Sequence, residues 1–522
     1  MQDGRVQGGR MQGGRMQSGR MQSSLLSRSR VREGAGWLTA AAIALIVAAQ
    51  VASTARAEFI FRDGDSVAVA MFVRSVFDGQ PLDWAMSSVL FIPESAMFAA
   101  LSILPLDANA LLAINAVLNL LALYGALRLV AGRRRDGSAP VAWSLVALAV
   151  FGVIALTELS PSRDGFELAS LMATTTYYSA TVVAVIASVG IVRRALDRPE
   201  PGRVLPIALF LVSTISTLSN PLYGAWATAP LTLLLAILAL RTGRRRTSIV
   251  LAVAACAGSI LAMLLRIPLD PWIAKTGASY IRPQEWMDSL AYYGGHAVTR
   301  MQSPLGVVAA AILLALTVYA VVQTVRLREP GARLVAASAW LLPVLVVVGG
   351  IALGTHAARY LQPAVFAPLL ALLAAPRLLT LPRPRWLLAA GGAVLLAGSI
   401  VSVPRLAAAA ERPDADLACV TGWIDEADRV GGGQFWTTRL PKLHLDDTTR
   451  LVQLHADLHA YPWLVNRTDY DGVTEVSFLI EDAQSGGWAL PADAEPDAIV
   501  TCGRYRILDF AEHPLPIGPP LV

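Results

Sequence analysis

Apolar runs close to twenty residues long recur from Trp37 to Val403, separated by short polar or arginine-bearing connections. Wound as a helix at about 1.5 Å per residue, such a run matches the hydrocarbon core of a bilayer. Lipid offers the backbone no water to bind, so a chain built this way is driven toward a bundle of helices. Of the 522 residues, 55% are hydrophobic and 16% charged, against roughly 25% charged in soluble domains. The sequence predicts a polytopic α-helical membrane protein with a C-terminal soluble α/β domain.

Segments able to span fall near 37–55, 109–131, 140–157, 168–192, 204–219, 222–240, 247–265, 303–325, 333–354, 358–375 and 386–404, about eleven in all. Arginines fall on every second connection: Arg133, Arg134 and Arg135, then Arg193, Arg194, Arg198 and Arg203, then Arg241 and Arg244 to Arg246. Arg326 and Arg328, then Arg377, Arg383 and Arg385, continue the series. By the positive-inside rule these loops are cytoplasmic. The N-terminus is then inside, the C-terminus outside, and the protein sits as a multi-pass chain in the plasma membrane. The stretch 91–105, "FIPESAMFAALSILP", is too short to cross and carries Glu94, so it reads as a helix on or dipping into the outer face.

Charge is divided unevenly. From Glu411 onward there are 19 acidic and 8 basic residues, against 35 basic and 19 acidic before it. The arginines lie scattered between apolar spans, which argues against a nucleic-acid partner. Residues 1–36 open with a Gly/Gln/Arg pentapeptide repeat that cannot bury apolar surface, so a disordered cytoplasmic tail is expected. Ala55-Arg56-Ala57 has the small-x-small form of a leader cleavage site. The apolar length before it favours an uncleaved span. Lysine occurs only at 275 and 442, a bias that fits a GC-rich bacterial genome.

Two exoplasmic loops are large, 56–108 and 266–302. In the first, Val69, Phe72, Val73, Val76 and Phe77 follow helical spacing with Arg74, Ser75 and Asp78 opposite, which predicts an amphipathic helix on the membrane surface. Asp63 and Asp65 stand at its start. Aspartate is a favoured cap there, and it is also a base when placed beside a substrate hydroxyl.

Three stretches carry a family resemblance: "RDGDSVAVAMFVRSVFDGQPLDW" at 62–84, "FIPESAMFAALSILPLDANALLAINAVL" at 91–118, and "THAARYLQPAVFAPLL" at 355–370. They resemble the acidic motif, the Pro-led juxtamembrane helix and the Arg-Tyr-x-x-Pro motif of GT-C glycosyltransferases, such as protein mannosyltransferases and aminoarabinose transferases. Two departures stand out: Asp63-Gly64-Asp65 replaces the usual Asp-Glu pair, and Pro93-Glu94 replaces paired prolines. The resemblance implies transfer of a hexose or pentose from a polyprenyl-phosphate-linked donor to an envelope glycan, lipid or protein at the outer face. It makes Asp65, with Asp63, the candidate base. Arg359, His356 and Tyr360 become candidates for the donor phosphate, with Arg300 and His296 as a second set. Glu158 and Asp164 are candidates for an acceptor or for a divalent cation such as Mg or Mn.

A transporter or flippase of an envelope lipid is the reading from another class, and a non-catalytic GT-C relative is a third. A transporter calls for inverted repeats or charges midway along spans, which the sequence does not display. There is no phosphate-cradling G-x-x-x-x-G-K-[ST] loop. His455 and His459 in "HADLH" lack the glutamate of a zinc protease motif. The segment 405–522 contains strand-like runs, "TEVSFLI" and "AIVTCGRYRILDF". Cys419 and Cys502 both fall there, and two cysteines in a small external domain are expected to pair.

Overall fold

The chain is described here from a computed structural model covering residues 11–134, 137–200, 202–241, 243–275, 280–377 and 385–521. Among the described residues, eight helices are long and apolar enough to cross a membrane: Arg30–Val51, Ala108–Val130, Ser179–Leu196, Gly224–Arg241, Arg245–Arg266, Pro304–Arg326, Pro330–Ala352 and Ala389–Ala410. Pro140–Leu156, Val204–Ser219 and Ala358–Ala374 are shorter apolar helices in the same bundle. The chain is thus a polytopic helical membrane protein.

Connections gather at two ends. At one end Arg193 donates to the carbonyls of Val130 and Leu373, Arg244 to that of Arg198, and Ala139 to that of Pro376. At the other, Arg56 reaches the carbonyls of Ser160 and Glu167, Arg266 that of Leu218, and Arg300 that of Thr157. The arginine-bearing loops cluster at the first end and the aspartate turn at the second. Residues 1–10, Arg135 and Arg383 lie outside the described residues.

Several expectations change. A helix runs from Met11 without a break into the first span, where a disordered tail is expected from the sequence. Methionine, glutamine and arginine favour a helix while the glycines and serines between them do not, and extending an existing helix is easier than nucleating one. Arg56 is buried with its guanidinium hydrogen-bonded, so Ala55-Arg56-Ala57 is an interior junction. The segment read as a span at 168–192 becomes helical only at Ser179; residues 170–173 form a 3-10 turn and 174–178 are irregular. The segment 358–375 is broken into short pieces at Pro363 and Pro368, where proline removes a backbone donor.

The helix Ala68–Phe77 forms as expected, but its buried face is Val69, Ala70, Met71, Val73 and Ser75, while Val76 and Phe77 are exposed. Arg74 explains the rotation, because it donates to the carbonyls of Leu443 and Leu445 and ties the helix to the C-terminal region. Neither aspartate caps this helix; its N-cap position is Val67. The helix Ile92–Leu101 has ten residues, too few to span, with Pro93 in its first turn and Glu94 buried.

The last span runs on to Ala410, and beyond it a five-stranded mixed sheet forms. Its strands lie in the order Leu451–Gln453, Gly431–Gly433, Phe478–Glu481, Tyr505–Asp509, Ala498–Cys502. The first three are parallel and the last two antiparallel. Glycine is required in the Gly431–Gly433 strand: a Cβ at Gly431 would stand 2.1 Å from the Phe478 ring, and one at Gly432 2.3 Å from Leu454. The helix Phe435–His444 connects two parallel strands, and a disulfide joins Cys419 on the helix Ala415–Ala427 to Cys502, with Cα atoms 5.5 Å apart. Trp84–Ala85 of the first large loop pairs antiparallel with Val465–Asn466, which stitches this region onto the end of the bundle. Asn466, a formal glycosylation acceptor, is buried there and donates to the Pro81 carbonyl.

Candidate functional site

The turn Asp63-Gly64-Asp65 separates its two carboxylates into different roles. Asp63 is 1% exposed. One oxygen accepts from the backbone of Asp65 and Ser66 and from the Tyr177 hydroxyl, and the other takes Arg163 Nε at 2.6 Å. Both oxygens are held by structural partners. The carboxylate of Asp65, two residues on, accepts no hydrogen bond and makes no ion pair among the described residues. It lines a cavity of about 580 Å3. Burial pushes its carboxyl above the ordinary aspartate range, and Asp63 adds to the rise; Arg359, Arg439 and Arg163 oppose it.

Arg359 lines the same cavity from the segment after Pro330–Ala352, with Tyr360 beside it. Its Nε donates to the Tyr178 hydroxyl at 3.2 Å, and among the described residues no carboxylate lies within 4 Å of it. A guanidinium held this way keeps a bidentate fork open toward the cavity, the arrangement suited to phosphate oxygens. Thus Asp65, Arg359 and Tyr360, separated by nearly three hundred residues, share one wall.

The other predicted residues lie elsewhere. Arg300 is committed to Glu167 at 2.7 Å and to Thr157, and does not line the cavity. His296 packs against the rings of Tyr292 and Phe166. His356 faces Glu285 at 3.8 Å and the Tyr292 ring. These three are not cavity residues because the helix Trp286–Met301 docks on the bundle through them. Glu158 accepts from the backbone of Ala169 and Ser170 and from the Ser170 hydroxyl, a fully used carboxylate. Asp164 is exposed beside the Tyr292 hydroxyl.

A divalent cation needs several oxygen ligands. With Asp63 and Glu158 consumed, Asp65 is the one carboxylate on the cavity wall among the described residues, so this donor set does not make an Mg or Mn site. The group with metal-like spacing among the described residues is the exposed trio Asp497, Glu512 and His513, none of which lines the cavity. His455 and His459 both approach Asp457, at 2.9 and 3.1 Å, but the three do not form a group with metal-like spacing.

Sequence reasoning missed most of the aromatic wall. Thr176, Tyr177 and Tyr178 were hidden inside an assumed span, although the polar run "TTTYY" was a visible signal. Tyr280 comes from the second large loop, and Phe435, Trp436, Tyr461 and Trp463 from the C-terminal region. A cavity lined by aromatic faces with a few placed polar groups is the usual form of a site for a small organic ligand. Backbone strain marks the same place. Of the five non-glycine residues with left-handed φ among the described residues, Phe91, Tyr178 and Leu464 line this cavity. For bulky residues such angles are costly and collect at functional sites. Compared with protein-family models and with curated proteins, the chain gave no match to either.

Proposed function

We propose that the protein is a membrane glycosyltransferase of GT-C type that takes a sugar from a polyprenyl-phosphate-linked donor at the outer face. The observation that carries the reading is a pair of uncommitted charges on one aromatic wall: the free carboxylate of Asp65 and the open guanidinium of Arg359. In this reading the acceptor hydroxyl gives its proton to Asp65 as its oxygen bonds to the anomeric carbon. The bond from that carbon to the phosphate oxygen breaks, and the electron pair leaves with the lipid phosphate, whose charge Arg359 meets. One displacement inverts the anomeric configuration. The tyrosine and tryptophan faces offer stacking surfaces for sugar rings.

The topology that suits this chemistry has eleven crossings, counting the three shorter apolar segments, with the arginine-rich end cytoplasmic and the C-terminal α/β region exoplasmic. The Cys419–Cys502 disulfide supports that side, because such bonds persist in oxidising compartments. The donor reaches the cavity from the membrane. An adjoining cavity of about 560 Å3, walled by residues 274–275, 460–474 and 517–521, shares Tyr461 and Leu521 with the first and gives the acceptor a separate approach. The test is mass spectrometry of lipid-linked sugars in cells whose single gene copy carries Asp65→Asn. A glycosylated polyprenyl phosphate should accumulate; an unchanged lipid profile with intact envelope glycans would refute the reading.

A further inference from the structure

Arg439 is a buried cation without a visible purpose. It lies on the helix Phe435–His444 and is 0% exposed. Its Nη2 donates to the Leu464 carbonyl at 3.0 Å, while Nε and Nη1 have no partner. The Phe435 ring lies 4.7 Å below it. No carboxylate comes within 4 Å of it among the described residues. A sealed, half-satisfied guanidinium costs several kcal/mol unless its charge is used. Burial lowers its pKa to about 10, so it remains a cation at neutral pH.

What lies in front of it is the aspartate turn. A Cβ placed on Gly64 would stand 3.4 Å from Arg439 Cδ and 3.2 Å from the Trp436 ring. The groups facing Asp65 can be taken element by element. Its own turn contributes Asp63, and the 157–169 connection contributes Arg163, which is already paired with Asp63. The irregular segment before Ser179–Leu196 contributes Tyr177 and Tyr178, and the second loop Tyr280, all neutral phenols below about pH 10. The 358–361 turn contributes Arg359, which is open to the cavity. His455 also lines the cavity and is turned to Asp457. Arg439 is therefore the cation that neither a protein carboxylate nor a cavity ligand can neutralise.

Resting on the reading of Asp65 as the base, we propose that Arg439 is a positioning residue for Asp65: it keeps that carboxylate ionised after an anionic donor has taken up Arg359. In the empty cavity Arg359 and Arg439 support the charge on Asp65, with Arg163 a lesser support already paired to Asp63. When the phosphate arrives, the field of Arg359 is cancelled and Arg439 is the unpaired cation that remains. An ionised base in the loaded complex is what proton abstraction requires.

The test reads protonation directly. A hydrophobic carbodiimide modifies carboxyls in their protonated form, so the pH of half-maximal labelling at Asp65, read by peptide mass spectrometry on the full-length protein in nanodiscs, reports its state. Undecaprenyl phosphate serves as the anionic probe. With the probe, Arg439→Met should move the Asp65 curve up by roughly one pH unit, the shift of a lost neighbouring charge. Arg439→Lys should restore it. In an Arg359→Gln background the same shift should appear without any probe, which keeps the test independent of how well the probe binds. Methionine fills similar volume without orphan donors and should not lower the melting temperature; Arg439→Gln is the second variant if it does. Coincident curves for Arg439→Met and wild type in the Arg359→Gln background would overturn the proposal. Activity in Asp65→Asn would instead overturn the base, and labelling distinguishes the two failures.

Discussion

Two aspartates one residue apart can be told apart only by what surrounds them. Asp63 is part of a buried pair with Arg163 and holds the turn through two backbone donors, so Asp63→Asn should destabilise. Removing one partner of a buried pair costs about 3–5 kcal/mol, and the part-exposed Arg163 places this case toward the lower end. Asp65 should behave in the opposite way. A carboxyl whose folded pKa lies above its unfolded value contributes most to stability below the unfolded value, and that contribution is lost as pH rises through the folded one. Ionised Asp65 is thus a burden at neutral pH. Asp65→Asn should melt at an equal or higher temperature at pH 7, with the gain fading toward acid pH, while transfer falls by roughly 10²–10⁴-fold. Thermal unfolding of both variants across pH, beside the lipid profile, checks the pair; a lower melting temperature for Asp65→Asn than for Asp63→Asn would contradict it. The sequence showed both carboxylates side by side at the start of the amphipathic helix, with nothing local to separate their surroundings. The partners that decide the matter, Arg163 and Tyr177, lie about a hundred residues away and no local spacing announces them.

At the scale of elements, periodicity located the spans but not their ends. Apolar length is a local property, and it placed most of the segments on apolar helices, eight of which among the described residues are long enough to cross a membrane. It failed at 168–178, where hydrophobic composition continues while the helix does not: the Thr174 hydroxyl donates to the Leu171 carbonyl and the Thr175 hydroxyl to that of Ser66. The amphipathic helix was legible in kind and misjudged in orientation, since Arg74 binds carbonyls supplied by residues 443–446. The paired cysteines were read from compartment and composition. The bond closes a separation of 83 residues between the helix Ala415–Ala427 and the strand Ala498–Cys502. In the chain-entropy treatment that stabilises by about 4.5 kcal/mol. Reduction should therefore lower the unfolding temperature of the C-terminal sheet, and thiol alkylation of unreduced protein should leave both positions unmodified. Alkylation of Cys419 and Cys502 without reductant would contradict the bond.

At the scale of the whole molecule, the two ends of the bundle differ in chemistry. One end carries Arg128, Arg193, Arg194 and Arg244, bonded to carbonyls of neighbouring helices or to Glu33. The other carries the aspartate turn, the aromatic cavity and the acidic C-terminal sheet. The arginines that alternate along the sequence include Arg193 and Arg244 at the first end, and the positive-inside rule would make that end cytoplasmic. The cavity was not foreseen as a whole, since its walls come from eight separate stretches, and the pairing of Trp84–Ala85 with Val465–Asn466 helps bring them together. That pairing fixes a relation that topology mapping can test. Asp83 and Arg467 form an ion pair at 3.0 Å, so the first large loop and the C-terminal region must share a side. Reporter fusions at Asp83 and Asp446 should both report the exterior, and fusions at Arg134 and Arg245 the cytoplasm. Signals that agree at Asp83 and Asp446 but place both inside would reverse the orientation and remove the lipid-linked donor from reach. Signals that disagree between those two positions would break the joint between loop and sheet, and with it the shared wall of Asp65, Arg359 and Trp436.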